Sequence, residues 1–113
     1  MDKVEAFLRQ LRDGSAKDEE AETLLWKILV DHKGHPFYTA KGLEFTYDIR
    51  GYEMFVDRKD KSITRSTVML SFWKALQVQQ KNGCVSGPKK LGTFGASYLY
   101  PIFLELGIIK NLG

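Results

Sequence analysis

The chain has 113 residues, of which 43% are hydrophobic and 27% charged, and these values predict a single globular domain over residues 1–113 with one core. No apolar run approaches the roughly 20 residues that cross a bilayer, and the N-terminus lacks a basic stretch followed by an apolar one. We therefore expect a cytoplasmic protein without a membrane partner. Cys84 is the only cysteine, which excludes an internal disulfide and a cysteine-based zinc site, and we expect no metal or other cofactor.

Charge is divided unequally along the chain. Residues 1–57 hold 8 Lys/Arg against 12 Asp/Glu, a net charge of −4, whereas residues 58–113 hold 9 Lys/Arg against 2 Asp/Glu, a net charge of +7. A basic half can bind a polyanion, but it can equally attract the acidic half of the same fold or of a second copy. The charge distribution leaves these three interpretations open.

Two helices are predicted in the first third of the chain. The first covers Asp2 to Asp13, where apolar residues recur at helical spacing. The second begins at Ser15 or Asp18, with an acidic first turn that suits the positive end of the helix dipole, and ends before Gly34. Its later turns are apolar on nearly all sides, which predicts a central place in the core.

The stretch from Leu43 to Arg58 predicts an antiparallel hairpin. Apolar residues alternate with polar ones on both sides of a two-residue turn at Arg50-Gly51, and Gly51 supplies a left-handed conformation that a tight turn needs. Arg50 fits the other central position poorly, which leaves a longer loop as the alternative. One face of the hairpin is then apolar. Residues 37–40 would add a third strand, because an isolated two-stranded sheet is marginally stable. The predicted register pairs Ile49 with Tyr52, Tyr47 with Met54, Phe45 with Val56 and Leu43 with Arg58.

The other face of the predicted hairpin carries like charges in opposition. The same register sets Asp48 against Glu53 and Glu44 against Asp57, and like charges directly opposite each other destabilise a sheet. These carboxylates need solvent, basic side chains from elsewhere in the chain, or a cation. We favour solvent or basic side chains, because hard-metal sites draw on more loop oxygens than a flat hairpin offers.

The longest predicted helix, from Ser62 or Thr64 to Asn82, opens with basic rather than acidic residues. The amides of a helix start carry partial positive charge and favour acidic neighbours, whereas this start collects four cations. Cationic side chains, hydroxyls and unsatisfied amides are the groups that hold phosphate. The candidate nucleic-acid-binding residues are those at this start and a cationic pair in the glycine-rich tail: Arg58, Lys59, Lys61, Ser62, Thr64, Arg65, Lys89 and Lys90.

An internal salt-bridge network is the opposing interpretation of the same cluster. Asp57, Asp60 and the acidic hairpin face could neutralise the cations within the fold and leave nothing for an external anion. The two interpretations differ in whether the acidic hairpin face contacts the basic helix start.

A short last helix is predicted from Ser97 or Tyr100 to Leu106, with Pro101 acceptable only in its first turn and Gly107 at its end. Residues 98–109 are too apolar for a lone surface helix, so they either complete the core or form part of a partner interface. The glycines of the preceding tail match neither phosphate-loop fingerprint.

Two segments, GLEFTYDIRGYEMFVDRKDKSITRSTVMLSFWKAL and GPKKLGTFGASYLYPIF, resemble a group of small uncharacterised bacterial proteins. The resemblance covers most of the chain beyond Gly34. It implies a bacterial protein but supplies no activity and no site residue.

These elements predict an α+β fold with two N-terminal helices, a central antiparallel hairpin of two or three strands, a long helix and a short C-terminal helix around one core. No Ser/His/Asp or Cys/His spacing indicates catalysis, and His32 and His35 match no metal-ligand pattern, so we do not expect an enzyme. The leading hypothesis is a small nucleic-acid-binding, regulatory domain that contacts phosphates through the basic helix start and loop. The alternative is a protein-protein interaction module or a homodimer joined through residues 98–109.

Overall fold

The computed structural model describes residues 6–10 and 18–111 and has the α+β architecture that the sequence predicts, with a central hairpin, a long helix and a short last helix. The helices of the described part are α1, which includes residues 6–10, α2 (Asp18–Asp31), α3 (Arg65–Asn82) and α4 (Ala96–Glu105), with a 3-10 turn at Pro88–Lys90. The strands form two antiparallel sheets, one of β1 (Phe37–Tyr38) and β2 (Glu44–Phe45), the other of β3 (Tyr47–Arg50), β4 (Glu53–Val56) and β5 (Ile63–Thr64) in that order.

The chain divides into two compact units, Met1–Lys33 and Gly34–Gly113, and the single domain expected from its length stays a prediction. In the first unit, α2 begins at Asp18 with three acidic residues in its first turn, where carboxylates interact favourably with unbonded amides. Its later turns bury Leu25, Trp26 and Leu29, as the apolar pattern predicts. The predicted ends of the first helix and the cap at Ser15 lie outside the described residues.

The hairpin of β3 and β4 is offset by two residues from its predicted register. Ile49 pairs with Met54, and the two-residue turn consists of Gly51 and Tyr52 rather than Arg50 and Gly51. Gly51 has a φ of +61° and Tyr52 a negative φ, which is the pattern of a type II′ turn with glycine at its first central position. An even offset preserves the face on which each side chain lies. The buried side chains of this face are Tyr47, Ile49, Met54 and Val56.

The predicted opposition of like charges is therefore wrong. Arg50 lies across from Glu53, and Asp48 lies across from Phe55. Glu44 belongs to the other sheet, in which β2 pairs with β1. Within the β3–β4 ladder, the cross-strand pair at the turn joins opposite charges, which stabilises a sheet rather than weakening it.

The third strand of the hairpin sheet is β5, which pairs with β4 through Glu53–Thr64 and Met54–Ile63. The sequence placed an added strand at residues 37–40. β1 does form there, but it pairs with β2 and not with the hairpin. Because β5 leads directly into α3, sheet pairing fixes the point at which the longest helix begins.

α3 packs an apolar stripe into the core. Val68, Met69 and Phe72 are buried, and the helix ends at Gly83, whose φ is +80°. Phe72 contacts Phe103 of α4, with ring centroids 6.3 Å apart. α3 and α4 therefore contribute to the same core in the second unit.

Pro101 lies inside α4 and not in its first turn, contrary to prediction. The helix begins at Ala96, where the amides of Tyr98 and Leu99 both donate to the Gly95 carbonyl at 2.9 Å. A proline in the interior removes one backbone hydrogen bond. The compensating gain is hydrophobic, since Pro101 and its neighbours in this helix are almost wholly buried.

The residues that follow α4 are tied back to α3 and to residue 85. The Val85 amide donates to the Lys110 carbonyl at 2.7 Å, and the Lys110 amide donates to the Gln79 side chain at 2.5 Å. The buried Tyr100 hydroxyl donates to the Val85 carbonyl at 2.7 Å, and burial raises the pKa of this phenol. These bonds close the second unit.

Candidate nucleic-acid interface

The basic segment, residues 58–65, runs from the end of β4 through β5 to the first residue of α3. The turn after β4 is closed by the Lys59 amide, which donates to the Val56 carbonyl at 3.0 Å. At the other end, Thr64 is the N-cap and accepts a hydrogen bond from the Thr67 amide at 3.3 Å. Strand pairing and this cap therefore fix the backbone of the segment.

The carboxylates of the neighbouring strands are held by local donors and not by the basic segment's cations. The contacts are Ser62 Oγ with Glu53 (2.5 Å), Tyr38 Oη with Glu44 (2.9 Å), the Thr46 amide with Asp57 (3.1 Å) and Arg50 Nε with Asp48 (3.4 Å). The bond to Glu44 raises the pKa of the Tyr38 phenol. The Glu53 carboxylate therefore meets the segment at the Ser62 hydroxyl, a neutral group, and not at one of its cations.

Three cations of the basic segment have no direct ion pair in the described part of the chain. No carboxylate there lies within 4 Å of the charged nitrogens of Arg58, Lys59 or Lys61. Arg58 donates instead to the backbone carbonyl of Glu44, with an Nε–O distance of 2.7 Å. Lys61 is exposed. The internal network that the sequence allowed does not form through these three groups.

The second cationic pair, Lys89 and Lys90, is exposed on the 3-10 turn, which packs against α3 and α4. Neither lysine has a carboxylate within 4 Å among the described residues, and no hydrogen bond or ring contact there joins them to the basic segment. Six of the eight predicted residues therefore lie on the basic segment, where they are close in sequence, and Lys89 and Lys90 lie on a separate element.

Two exposed aromatic side chains lie at the ends of the basic segment, and the sequence did not single them out. Tyr52 is 74% exposed and Phe94 is 47% exposed. Near the first end, Lys59 Nζ lies 3.8 Å from the centre of the Phe94 ring. At the last residue, the Arg65 guanidinium carbon lies 5.8 Å from the centre of the Tyr52 ring. Cations in such positions are attracted to the negative face of the ring.

Phe94 is held beside the segment by a close approach of its loop to β5. The backbone of Gly95 lies so near the Ile63 side chain that a Cβ at this position would overlap it. Ser71, which is buried in α3, forms a hydrogen bond with Thr93. Contacts with β5 and with α3 therefore fix the loop that carries Phe94.

Metal-binding clusters and membrane-spanning helices are both absent from the part of the chain that the structure describes. Within residues 6–10 and 18–111, no group of three or more His, Cys, Asp or Glu side chains is arranged to hold a metal ion. No helix in those ranges combines the length and the apolar character that a membrane crossing requires.

Residues 98–109, the predicted homodimer contact, mostly belong to the core of the chain itself. Leu99, Ile102 and Phe103 are 0% exposed, and the exposed positions of the segment are Glu105 and Gly107. The segment therefore completes the core, which is one of the two outcomes that the sequence allowed, and it offers little apolar surface to a second copy.

A scan against protein-family models, a search of curated proteins and a search of solved structures each found no match. The geometry and charge of the basic segment are the observations that bear on function.

Proposed function

We propose that the chain binds nucleic acid through the basic segment, with the start of α3 directed at the phosphates. The observation that carries the proposal is that Arg58, Lys59 and Lys61 have no direct carboxylate partner in the described part of the chain. Cations that are not paired within the fold can replace counterions condensed on a nucleic acid, and release of those counterions drives binding.

The composition of the first turn of α3 also favours binding of a phosphate at this end of the helix. It contains no acidic residue, whereas the first turn of α2 contains three. Amides at a helix start that are not bonded within the helix carry partial positive charge. The Arg65 and Thr67 amides already donate to the Tyr52 carbonyl and to Thr64 Oγ1, so a phosphate that approaches α3 meets positive charge mainly from the side chains of the segment.

The two predicted hydroxyl contacts have a smaller part in this proposal. Ser62 donates to Glu53, and Thr64 is occupied as the N-cap of α3. Both groups are already engaged within the fold. We therefore expect the cations, rather than these hydroxyls, to supply the contacts with phosphate.

Fluorescence anisotropy with a labelled oligonucleotide of about 20 nucleotides, as a single strand and as a duplex, tests the proposal. If three to five phosphates are contacted, affinity for the duplex should fall by roughly 10²-fold between about 50 and 200 mM salt. Reversing two charges, Lys59→Glu with Lys61→Glu, should weaken binding at least about tenfold and reduce the salt slope by about 2.

The matched control is the double variant Lys41→Glu with Lys81→Glu. Both lysines are exposed and lie outside the basic segment, so the net charge changes equally without a change at the proposed site. If the two double variants bind alike, the segment is not the site. If the unmodified chain binds neither nucleic acid at low salt, the proposal is wrong, and an acidic protein surface becomes the partner to test next.

A further inference from the structure

We infer that the ligand of this surface is a single-stranded nucleic acid, whose bases stack on the exposed rings of Tyr52 and Phe94 while its phosphates contact the basic segment. The inference rests on the proposed function and adds the strandedness of the ligand to it. It is motivated by two exposed rings, each beside a cation of the segment, one at either end.

The fold fixes where both rings are attached. Tyr52 lies in the hairpin turn, and its carbonyl accepts a hydrogen bond from the Arg65 amide at 2.8 Å. Phe94 precedes Gly95, which packs on Ile63 of β5. Since Lys59 and Arg65 are separated by six residue steps, their Cα atoms are at most about 20 Å apart. The rings lie a side-chain length beyond these atoms, so an oligonucleotide of about 20 nucleotides is long enough to span both.

Exposed rings favour a single strand over a duplex for a geometric reason. The bases of a single strand are not covered by neighbours on both faces, so they can stack on aromatic side chains, whereas the bases of a duplex are already stacked. The Lys59 ammonium lies over the Phe94 ring. Because the ammonium covers one face of this half-exposed ring, a base stacks on the opposite face, and Lys59 lies near the phosphate that adjoins it.

The charge around these rings distinguishes them from another exposed aromatic side chain. Tyr38 is 51% exposed, but it donates to the Glu44 carboxylate, and that negative charge would repel a phosphate backbone. Glu53, which follows Tyr52 in the chain, is also a carboxylate, but Arg50 lies across from it in the sheet and the Arg65 guanidinium lies beside the Tyr52 ring. Tyr38 is therefore a natural control for the loss of an exposed ring.

Anisotropy titrations with an oligothymidine and with a duplex of equal length test the inference. The unmodified chain should bind the single strand at least about tenfold more tightly than the duplex. Tyr52→Ala and Phe94→Ala should each weaken single-strand binding by about five- to tenfold, which is the low end of the range for one base stacked on one ring. Neither should change the salt slope, because no charge is removed.

Control variants separate stacking from loss of structure. Tyr52→Phe keeps the ring and should bind like the unmodified chain, and Tyr38→Ala should also leave affinity unchanged. Thermal unfolding identifies any variant that has lost its fold. Since Tyr52 is largely exposed, its truncation is expected to leave the fold intact even if that of Phe94 does not.

The outcomes of this experiment distinguish the inference from the proposed function. If the duplex binds as tightly as the single strand and Tyr52→Ala has no effect, the inference is overturned while binding through the cations stands. If neither nucleic acid binds, both are overturned. If Tyr52→Ala weakens both ligands equally and also lowers the salt slope, the ring has a structural role, and the inference is again overturned.

Discussion

Replacing Gly95 by alanine tests the close approach that holds the Phe94 loop on β5. Gly95 has a φ of +79°, and an added Cβ would overlap the Cδ1 atom of Ile63 and lie 2.9 Å from its Cγ1 atom. Ile63 is 0% exposed. Its side chain therefore cannot turn aside without displacing other atoms of a close-packed core.

Two costs add to give the expected magnitude for Gly95→Ala. The left-handed conformation costs a residue with a Cβ about 1–2 kcal/mol, of which about 0.4–1 kcal/mol is offset because alanine lowers the entropy of the unfolded chain. Overpacking of a core costs about 1–3 kcal/mol. We expect a loss of about 2–4 kcal/mol in the free energy of unfolding, which corresponds to a fall in Tm of roughly 8–16 °C.

Urea unfolding followed by circular dichroism measures this loss. The matched control is Gly83→Ala, because Gly83 has a φ of +80° but nothing lies within 4 Å of its added Cβ. That variant should lose only the backbone contribution, about 1 kcal/mol. Combining Gly95→Ala with Ile63→Val removes the overlapping Cδ1 atom, so the double variant should be more stable than the sum of the single effects predicts. Equal losses for the two glycine variants would refute the close contact with Ile63.

Three further substitutions have expected outcomes. Thr64→Ala removes the N-cap of α3 and should cost about 1 kcal/mol by urea unfolding, whereas Thr64→Ser should retain most of the stability. Phe103→Ala empties a site that is 0% exposed and should cost about 3–5 kcal/mol in the same assay. Tyr100→Phe leaves the Val85 carbonyl without its donor and should cost about 1–2 kcal/mol. Because the pKa of the Tyr100 phenol is raised above 10.0 in the folded state, its contribution is present below that pH and is lost as the pH rises through the folded value. Thermal unfolding between about pH 8 and 11 should therefore show a shallower alkaline decline for Tyr100→Phe; an unchanged decline would contradict this cause.

Alternation of apolar residues was sufficient to predict which face of the hairpin is buried, but not which residues pair. A glycine can occupy either central position of a two-residue turn, depending on whether the turn needs one or two left-handed residues. A turn with Gly51 at its second position and a turn with Gly51 at its first position give strand registers that differ by two residues. Both registers bury Ile49 and Met54. The predicted register placed Tyr52 on the apolar face of the hairpin, whereas it lies in the exposed turn. For this reason Tyr52 was not predicted to be an exposed aromatic side chain.

The candidate site could be predicted only as far as its composition. Local rules allowed Ser62 or Thr64 as the cap and predicted Asn82 as the last helical residue; Thr64 is the cap, and the end at Asn82 is confirmed. The group that each charged side chain contacts cannot be predicted from its neighbours in sequence. Glu53 is bound by a hydroxyl and Lys59 lies over a ring from a distant loop, and these choices depend on how β5, α3 and the loop before α4 pack together.

The bonds from Lys110 to Val85 and Gln79 have a consequence for biosynthesis. A ribosome makes α3 and the hairpin well before it makes Ile108 and Ile109, so the apolar surfaces that these two residues cover stay open until residue 110 has left the exit tunnel. Such an interval is when nascent chains attract chaperones or aggregate. Stalled nascent chains that expose only residues 1–104 outside the tunnel should be digested readily by added protease. Stalled chains with a C-terminal linker that fills the tunnel, so that all 113 residues lie outside it, should resist digestion.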